Sequence, residues 1–209
     1  MRRIALLDLD GTLIDSREDL CRAVNHALAE VGLPRRSLEE VTTFVGEGAA
    51  KLVARAVAPR QDLLEPALVA WWEHYRAHLL DTTQLYPGMA EALAGAGRSL
   101  AVLTNKPGPL ARRILEGLGV LDRFVEVVGG DEAPRKPDPT GARALLARLG
   151  GLAEDALFVG DSRIDAATAR AAGIPLVGVT WGFGGEAELR EAGAERLVST
   201  AAELAAWLR

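Results

Sequence analysis

Asp8 and Asp10 stand one residue apart in Asp8-Leu9-Asp10-Gly11-Thr12, directly after the apolar run Ile4 to Leu7. A buried strand that ends by projecting two carboxylates concentrates negative charge where nothing nearby in sequence neutralises it, so a cation is required there. A hard divalent ion such as Mg2+, which takes oxygen ligands and pairs with phosphate-bearing substrates, suits such a place. Other polar residues trail apolar runs in the same way: Thr104 and Asn105, then Lys136, then Asp161 and Asp165 in Val159-Gly160-Asp161-Ser162-Arg163-Ile164-Asp165. Each alone has an ordinary explanation as a turn or a helix cap. Their joint appearance in this order is harder to dismiss.

The elements that must position them alternate. Short apolar runs predict strands over Ile4–Leu9, Leu100–Thr104, Phe124–Val128, Ala156–Gly160 and Leu176–Thr180. Helical periods fall between and after them, at Pro107–Gly117, Thr140–Leu149, Arg163–Ala172, Glu186–Ala192 and Ala201–Leu208. Strand followed by helix, repeated, implies an α/β fold: a three-layer, Rossmann-like parallel sheet with helices on both faces. In open parallel sheets ligands bind outside the carboxyl ends of the strands, so the polar tails can converge on one crevice. Residues 16–83 break the rhythm. They read as helices Ser16–Val31, Leu38–Phe44, Glu47–Val57 and Leu63–Leu80, an all-helical insertion into a core made of residues 1–15 and 84–209. Ser16 with Asp19 reads as a helix N-terminal cap, and Gly32 with Pro34 as a stop.

Composition sets the context. A chain of 209 residues that is 49% hydrophobic buries a full core. Cys21 is the sole cysteine, which excludes an internal disulfide and fits a reducing cytoplasm. Met1-Arg2-Arg3 before an apolar stretch raises the question of an export signal, but Asp8 and Asp10 interrupt that stretch, and no run approaches the roughly 18 apolar residues of a membrane span. We expect neither export nor membrane insertion. The net charge of −5 gives no general attraction to nucleic acid. Only three of the 24 basic residues are lysines, Lys51, Lys106 and Lys136. A chain that otherwise writes arginine keeps lysine where a compact ammonium is useful, as at a phosphate.

Asp8-Leu9-Asp10-Gly11-Thr12, Thr104, Lys136 and Gly160-Asp161-Ser162-x-x-Asp165 resemble, in order and spacing, the four motifs of the haloacid dehalogenase-like superfamily. The resemblance covers essentially the whole chain, with residues 16–83 in the place of a helical cap. The second aspartate is similar to the phosphatase branch. Phe44-Val45-Gly46-Glu47-Gly48-Ala49, Leu85-Tyr86-Pro87-Gly88-Met89, Leu103-Thr104-Asn105-Lys106-Pro107 and Thr180-Trp181-Gly182-Phe183-Gly184 resemble phosphoglycolate phosphatases. Glu47 departs from that group, in which asparagine often stands between the two glycines.

This resemblance implies a Mg2+-dependent phosphomonoester hydrolase. Asp8 would be the nucleophile that forms an aspartyl phosphate, and Asp10 the general acid and base. Mg2+ would be held by Asp8, the Asp10 backbone carbonyl and Asp161. Thr104 and Lys136 would grip the phosphoryl oxygens, Asp165 would orient Lys136 or a metal-bound water, and Gly11, Thr12 and Asn105 would line the phosphate site. Gly46, Gly48 and Lys51 would read the organic part of a small phosphorylated metabolite such as 2-phosphoglycolate. The alternatives are a pyrophosphatase or broad sugar-phosphate phosphatase of the same fold, and a non-catalytic regulator that retains it. The protein is expected to act as a monomer or homodimer.

Other residues carry less. His26, His74 and His78 are read as surface or core side chains with no second metal cluster around them. Trp71, Trp72 and Trp207 read as core or interface anchors, whereas Trp181 and Phe183 sit in a Gly-rich stretch near the crevice. Arg17 and Glu18 read as a solvated helix face.

Overall fold

The computed structural model describes residues 3–209; Met1 and Arg2, where the export signal was weighed, lie outside the described residues. The chain forms two compact units, one made of the residues up to Asp15 together with Leu85–Arg209, the other of Ser16–Gln84. In chain order the first unit opens with β1 (Ile4–Leu7) and β2 (Ile14–Asp15). The second holds α1 (Arg17–Glu30), α2 (Leu38–Phe44), α3 (Ala49–Val57) and α4 (Leu64–Ala77). The chain continues through β3 (Gln84–Leu85), α5 (Met89–Ala94), β4 (Ser99–Leu103), α6 (Gly108–Gly117), β5 (Phe124–Val128) and α7 (Thr140–Leu149). It ends with β6 (Ala156–Gly160), α8 (Arg163–Ala172), β7 (Leu176–Val179), α9 (Gly185–Glu191), β8 (Leu197–Val198) and α10 (Ala201–Leu208).

Six strands form one sheet in the order β5-β4-β1-β6-β7-β8, and every adjacent pair is parallel. β1 lies at the centre because it has no polar side chain to expose: Ile4, Ala5, Leu6 and Leu7 are all inaccessible to solvent. Ile4 and Leu6 join Ala101 and Leu103 of β4, Phe158 of β6, Leu145 and Leu146 of α7 and Ala169 of α8 in one hydrophobic cluster, which covers one face of the sheet. The chain builds outward from β1 through β4 to β5, then crosses to β6 on the other side. The strand order therefore reverses at β1, and a crevice opens there beyond the carboxyl ends of the strands.

The α/β architecture read from the sequence is the one observed, with local differences. β1 stops at Leu7 rather than Leu9, because the Leu9 carbonyl accepts hydrogen bonds from the N–H groups of Thr12, Leu13 and Ile14 and turns the chain sharply. The two-residue edge strand β8 and the short helix α5 were not anticipated; both are too brief to show a period. In the helical unit α3 begins at Ala49 rather than Glu47, since Gly46 and Gly48 both take positive φ and hold the chain out of the helix. Helix α4 stops at Ala77 instead of Leu80. Among the described residues no helix is long and apolar enough to cross a membrane.

The expected cap at Ser16 is not formed. Ser16 occupies the N-cap position of α1, but its side chain makes no capping hydrogen bond to the first turn, and Asp19 is turned elsewhere. The Asp19 carboxylate is buried and accepts from the Thr82 N–H (3.0 Å), the Thr83 N–H (2.8 Å) and the hydroxyls of Thr82 (2.6 Å) and Thr83 (2.8 Å). Burial alone would raise its pKa, but these donors outweigh it and hold the carboxyl below its ordinary value. Replacing Asp19 by Ala strands two backbone N–H groups and two hydroxyls. We expect a loss of about 2–4 kcal/mol in the stability of the helical unit. Urea unfolding followed by circular dichroism measures it, and an unchanged midpoint would contradict this role of Asp19.

Candidate active site

Three buried carboxylates meet at the carboxyl end of the sheet. Asp8 follows β1, Asp161 follows β6 and Asp165 lies in the first turn of α8, with one oxygen of each within 4.8 Å of the others. Lys136, in the segment between β5 and α7, reaches into the group: its Nζ lies 2.6 Å from Asp8 Oδ1 and 2.7 Å from Asp165 Oδ1. Its side chain is only 4% exposed. Burial would lower the pKa of this ammonium, but Asp165 and Asp8 outweigh burial and raise it, so it is firmly cationic.

The surrounding loops fix each of these groups by hydrogen bonds. Asn105, just beyond β4, donates its Nδ2 to the Lys136 carbonyl (3.0 Å) and accepts the Lys136 N–H on Oδ1 (2.8 Å). Both ends of that amide are thus spent on the Lys136 backbone, which positions the lysine from an adjacent strand. Asp165 accepts from the Ser162 hydroxyl (2.7 Å) and N–H on Oδ2, so a single carboxylate closes the capping box of α8 and holds Lys136. The reading of Gly160-Asp161-Ser162 as a helix cap is thus the geometry observed, and the same segment brings Asp161 to the carboxylate cluster. Asp161 accepts the Thr12 hydroxyl (3.1 Å) on one oxygen and the Phe183 N–H (2.7 Å) on the other.

Close backbone approach makes three glycines obligatory. A Cβ on Gly11, which also has φ +86, would overlap the Asp161 carboxylate, as would one on Gly182; a Cβ on Gly160 would overlap Asp165. The walls that shape Asp161 are therefore backbone. Trp181 donates its indole N–H to the Thr12 carbonyl (3.2 Å), tying the loop after β7 to the loop after β1.

Asp10 stands apart from the triad. Both of its oxygens lie 2.9 Å from Lys106 Nζ. Thr104 is buried and accepts the Lys106 N–H on its hydroxyl (3.2 Å). Of the residues expected at the site, Asp8, Asp10, Gly11, Thr12, Thr104, Asn105, Lys136, Asp161 and Asp165 all lie at this end of the sheet unit. Thr12 and Asn105 were expected to line a phosphate site; the structure turns their side chains onto Asp161 and Lys136. Gly46, Gly48 and Lys51 belong to the helical unit, in and just after the turn that opens α3. There Glu47 pairs with Arg55, whose other nitrogen donates to the Phe44 carbonyl (2.9 Å). Lys106, Ser162 and Phe183 were not counted among the site residues. Each carried a signal: Lys106 as one of three lysines in an arginine-rich chain, Ser162 within the fourth motif, and Phe183 in the Gly-rich stretch near the crevice.

The charge balance of this cluster is unfavourable as it stands. With all three ionised, three carboxylates against one ammonium would leave two buried negative charges, because Lys106 is matched by Asp10. Burial pushes Asp8 up from 3.8 to about 7; Lys136 opposes that shift and Asp165 adds to it. Asp161 is raised well above 3.8 by burial and then by the charges of Asp165 and Asp8. An all-oxygen, doubly negative cluster has the chemistry of a hard divalent cation site.

The sequence model of the haloacid dehalogenase-like hydrolases matches residues 5–179. The chain belongs to this family. Among haloacid dehalogenase-like proteins, the phosphoglycolate phosphatase of Rhodospirillum rubrum is 43% identical over all of this chain and 91% of its own length. One from Cereibacter sphaeroides is 43% identical over 85% of each. The crystal structure of a predicted phosphoglycolate phosphatase from Haemophilus somnus is similar with a TM-score of 0.93 at 31% identity, covering 100% of this chain and 98% of that one.

A pH dependence of stability follows from Asp8. Between about pH 4 and 7 the metal-free folded protein keeps a proton on Asp8 that the unfolded chain has released. The contribution of Asp8 to stability therefore falls as pH rises through that window, by roughly 1.4 kcal/mol per pH unit for one proton, and levels off above it, while Asp161, also raised, acts in the same direction. Divalent metal competes with the proton, so the gain in Tm from Mg2+ is expected to be larger at about pH 8 than at about pH 5.5. Melting curves in EDTA and in Mg2+ at both values check this. An equal increment at the two would show that Asp8 is not the group that metal and proton share.

Proposed function

We propose that this protein is a cytoplasmic, Mg2+-dependent phosphomonoester hydrolase that works through an aspartyl phosphate on Asp8, with 2-phosphoglycolate as its substrate. That the chain is a phosphatase follows from its family and from relatives 43% identical over 85–100% of its length. The observation that carries the mechanism is the pairing of Asp8 with Lys136 at 2.6 Å, two residues before a second, separately held carboxylate.

In this reading Asp8 attacks phosphorus with a carboxylate oxygen, the bond to the ester oxygen breaks, and the departing alkoxide takes a proton from Asp10. Asp10 then accepts a proton from the water that attacks the phosphoaspartate, releasing inorganic phosphate and restoring Asp8. Lys136 offsets charge on the equatorial phosphoryl oxygens, and the Thr104 hydroxyl donates to one of them. Asp8 and Asp161 with the Asp10 carbonyl are the groups that would hold Mg2+, with the Asp165 carboxylate beside them. When bound, the ion supplies positive charge against the repulsion between nucleophile and phosphate. The helical unit is read as a cap that excludes water and recognises the rest of the substrate.

Asp8→Asn and Asp10→Asn are expected to fail differently. Asp8→Asn loses the nucleophile, and turnover should fall by roughly four orders of magnitude or more on any ester. Asp10→Asn loses a proton donor in the first half-reaction, which in kcat/KM is worth about 10²–10⁴ for an alkyl phosphate and little for p-nitrophenyl phosphate, whose leaving group needs no proton; the base lost from the second half-reaction, common to both esters, lowers kcat on either. Phosphate release from the two esters with and without Mg2+ decides it; equal losses in both variants on both esters would reject the roles.

The substrate assignment is tested at α3. Gly46 and Gly48 let backbone N–H groups approach a carboxylate, and Lys51 on the exposed face of α3 adds positive charge. Arg55 neutralises Glu47, so the departure from asparagine need not repel an anion. Lys51→Ala is expected to lower kcat/KM for phosphoglycolate by roughly tenfold and to leave p-nitrophenyl phosphate within about twofold. Parallel changes on the two esters would remove this support for phosphoglycolate.

A further inference from the structure

The site contains two lysine–carboxylate pairs, and the mechanism above uses only one lysine. Lys106 places Nζ 2.9 Å from each oxygen of Asp10, with its side chain 5% exposed and that of Asp10 13% exposed. A buried ion pair carries a desolvation penalty that an apolar pair would avoid, so its presence calls for a reason other than stability. The symmetric contact supplies one. A carboxylate on Cβ rotates freely about two torsions, and a point charge held equally by both oxygens removes that freedom.

Lys106 is itself anchored. Its N–H donates to the Thr104 hydroxyl (3.2 Å), and the intervening Asn105 clasps the Lys136 backbone through both ends of its amide. Gly130 and Gly129 lie so close to this loop that a Cβ on either would overlap the backbone of Asn105 or of Lys106 and Gly108. Three consecutive residues after β4 thus serve both halves of the site, Asn105 toward Lys136 and Asp8, Lys106 toward Asp10.

We propose that Lys106 is a positioning residue, which acts through Asp10 by holding its carboxylate in the orientation for proton transfer at the leaving-group oxygen, rather than a ligand of the phosphoryl group. The inference rests on the phosphatase reading above. It makes the consequence of losing Lys106 depend on the need for a proton, as the consequence of losing Asp10 does.

The test is a double-mutant cycle of Lys106→Met and Asp10→Asn in saturating Mg2+, with 2-phosphoglycolate and p-nitrophenyl phosphate as esters. Lys106→Met is expected to lower kcat/KM for phosphoglycolate by roughly 10–100-fold and to change kcat/KM for p-nitrophenyl phosphate by less than about threefold, because only the first half-reaction depends on the leaving group. In the Asp10→Asn background the same substitution should cost less than about threefold on either ester. Equal losses of kcat/KM on both esters, or additive losses in the double variant, would overturn the proposal. Should Lys106→Met leave an unpaired Asp10 that prevents folding, the double variant, which removes both charges, is compared with Asp10→Asn alone and decides by the same criterion. If the unsubstituted protein hydrolyses neither ester, the phosphatase reading falls and this inference with it; turnover with parallel losses removes this inference alone.

Discussion

Burial of like charge is the constraint on which the rest depends. Asp8, Asp161 and Asp165 have been drawn out of water to within 4.8 Å of one another, with a single ammonium among them. Such a group is stable only if its members are held by donors that cannot move away, and the loops around it are built for that purpose. Thr12 and Phe183 grip Asp161, Ser162 grips Asp165, and Lys136 bridges Asp165 to Asp8. The strain of the arrangement is electrostatic rather than conformational: among the described residues no non-glycine residue has positive φ. Preorganised charge of this kind is what phosphoryl transfer demands, because such reactions depend on positioning and electrostatic stabilisation more than on covalent chemistry from the protein.

The sheet makes the crowding possible. With β4 and β6 on either side of β1, three strand ends separated by long stretches of sequence deliver their tails to one place. Register contributes as well. Leu7 is level with Val102 of β4 and Val159 of β6, so the segments carrying Asp8, Thr104 and Asp161 leave the sheet at nearly the same height. Glycine at 11, 160 and 182 then lets backbone come within contact of the carboxylates where any side chain would intrude.

The parts of this arrangement that were legible in the sequence are those with a local signature. An apolar run followed by a carboxylate can be read without a partner, and this is how Asp8, Asp10, Asp161 and the parallel sheet emerged. Side chains whose purpose lies far along the chain could not be read that way. Asp19 has the spacing of a capping residue from Ser16, yet its donors are Thr82 and Thr83, and nothing within a helical turn distinguishes the two uses. Asn105 was placed at the phosphate site by the resemblance alone, and its amide bonds to the Lys136 backbone, 31 residues away, have no local signature. Strand β8 and helix α5 carry too few residues for periodicity to exceed chance.

The contact between Asp19 and Thr82 joins residues 63 apart in sequence and lies inside the helical unit. For the sheet unit its effect is on chain entropy. Pairing β1 with β4 requires closing the loop between them, and a flexible insertion of this length adds to that cost with the logarithm of its length. An insertion that ties its own ends together presents the sheet with a short connection in place of a long one. The helical unit can then vary in size and sequence with little effect on how readily the sheet assembles. Asp19 is thus a clasp that makes the interior of the insertion topologically invisible to the fold that carries it.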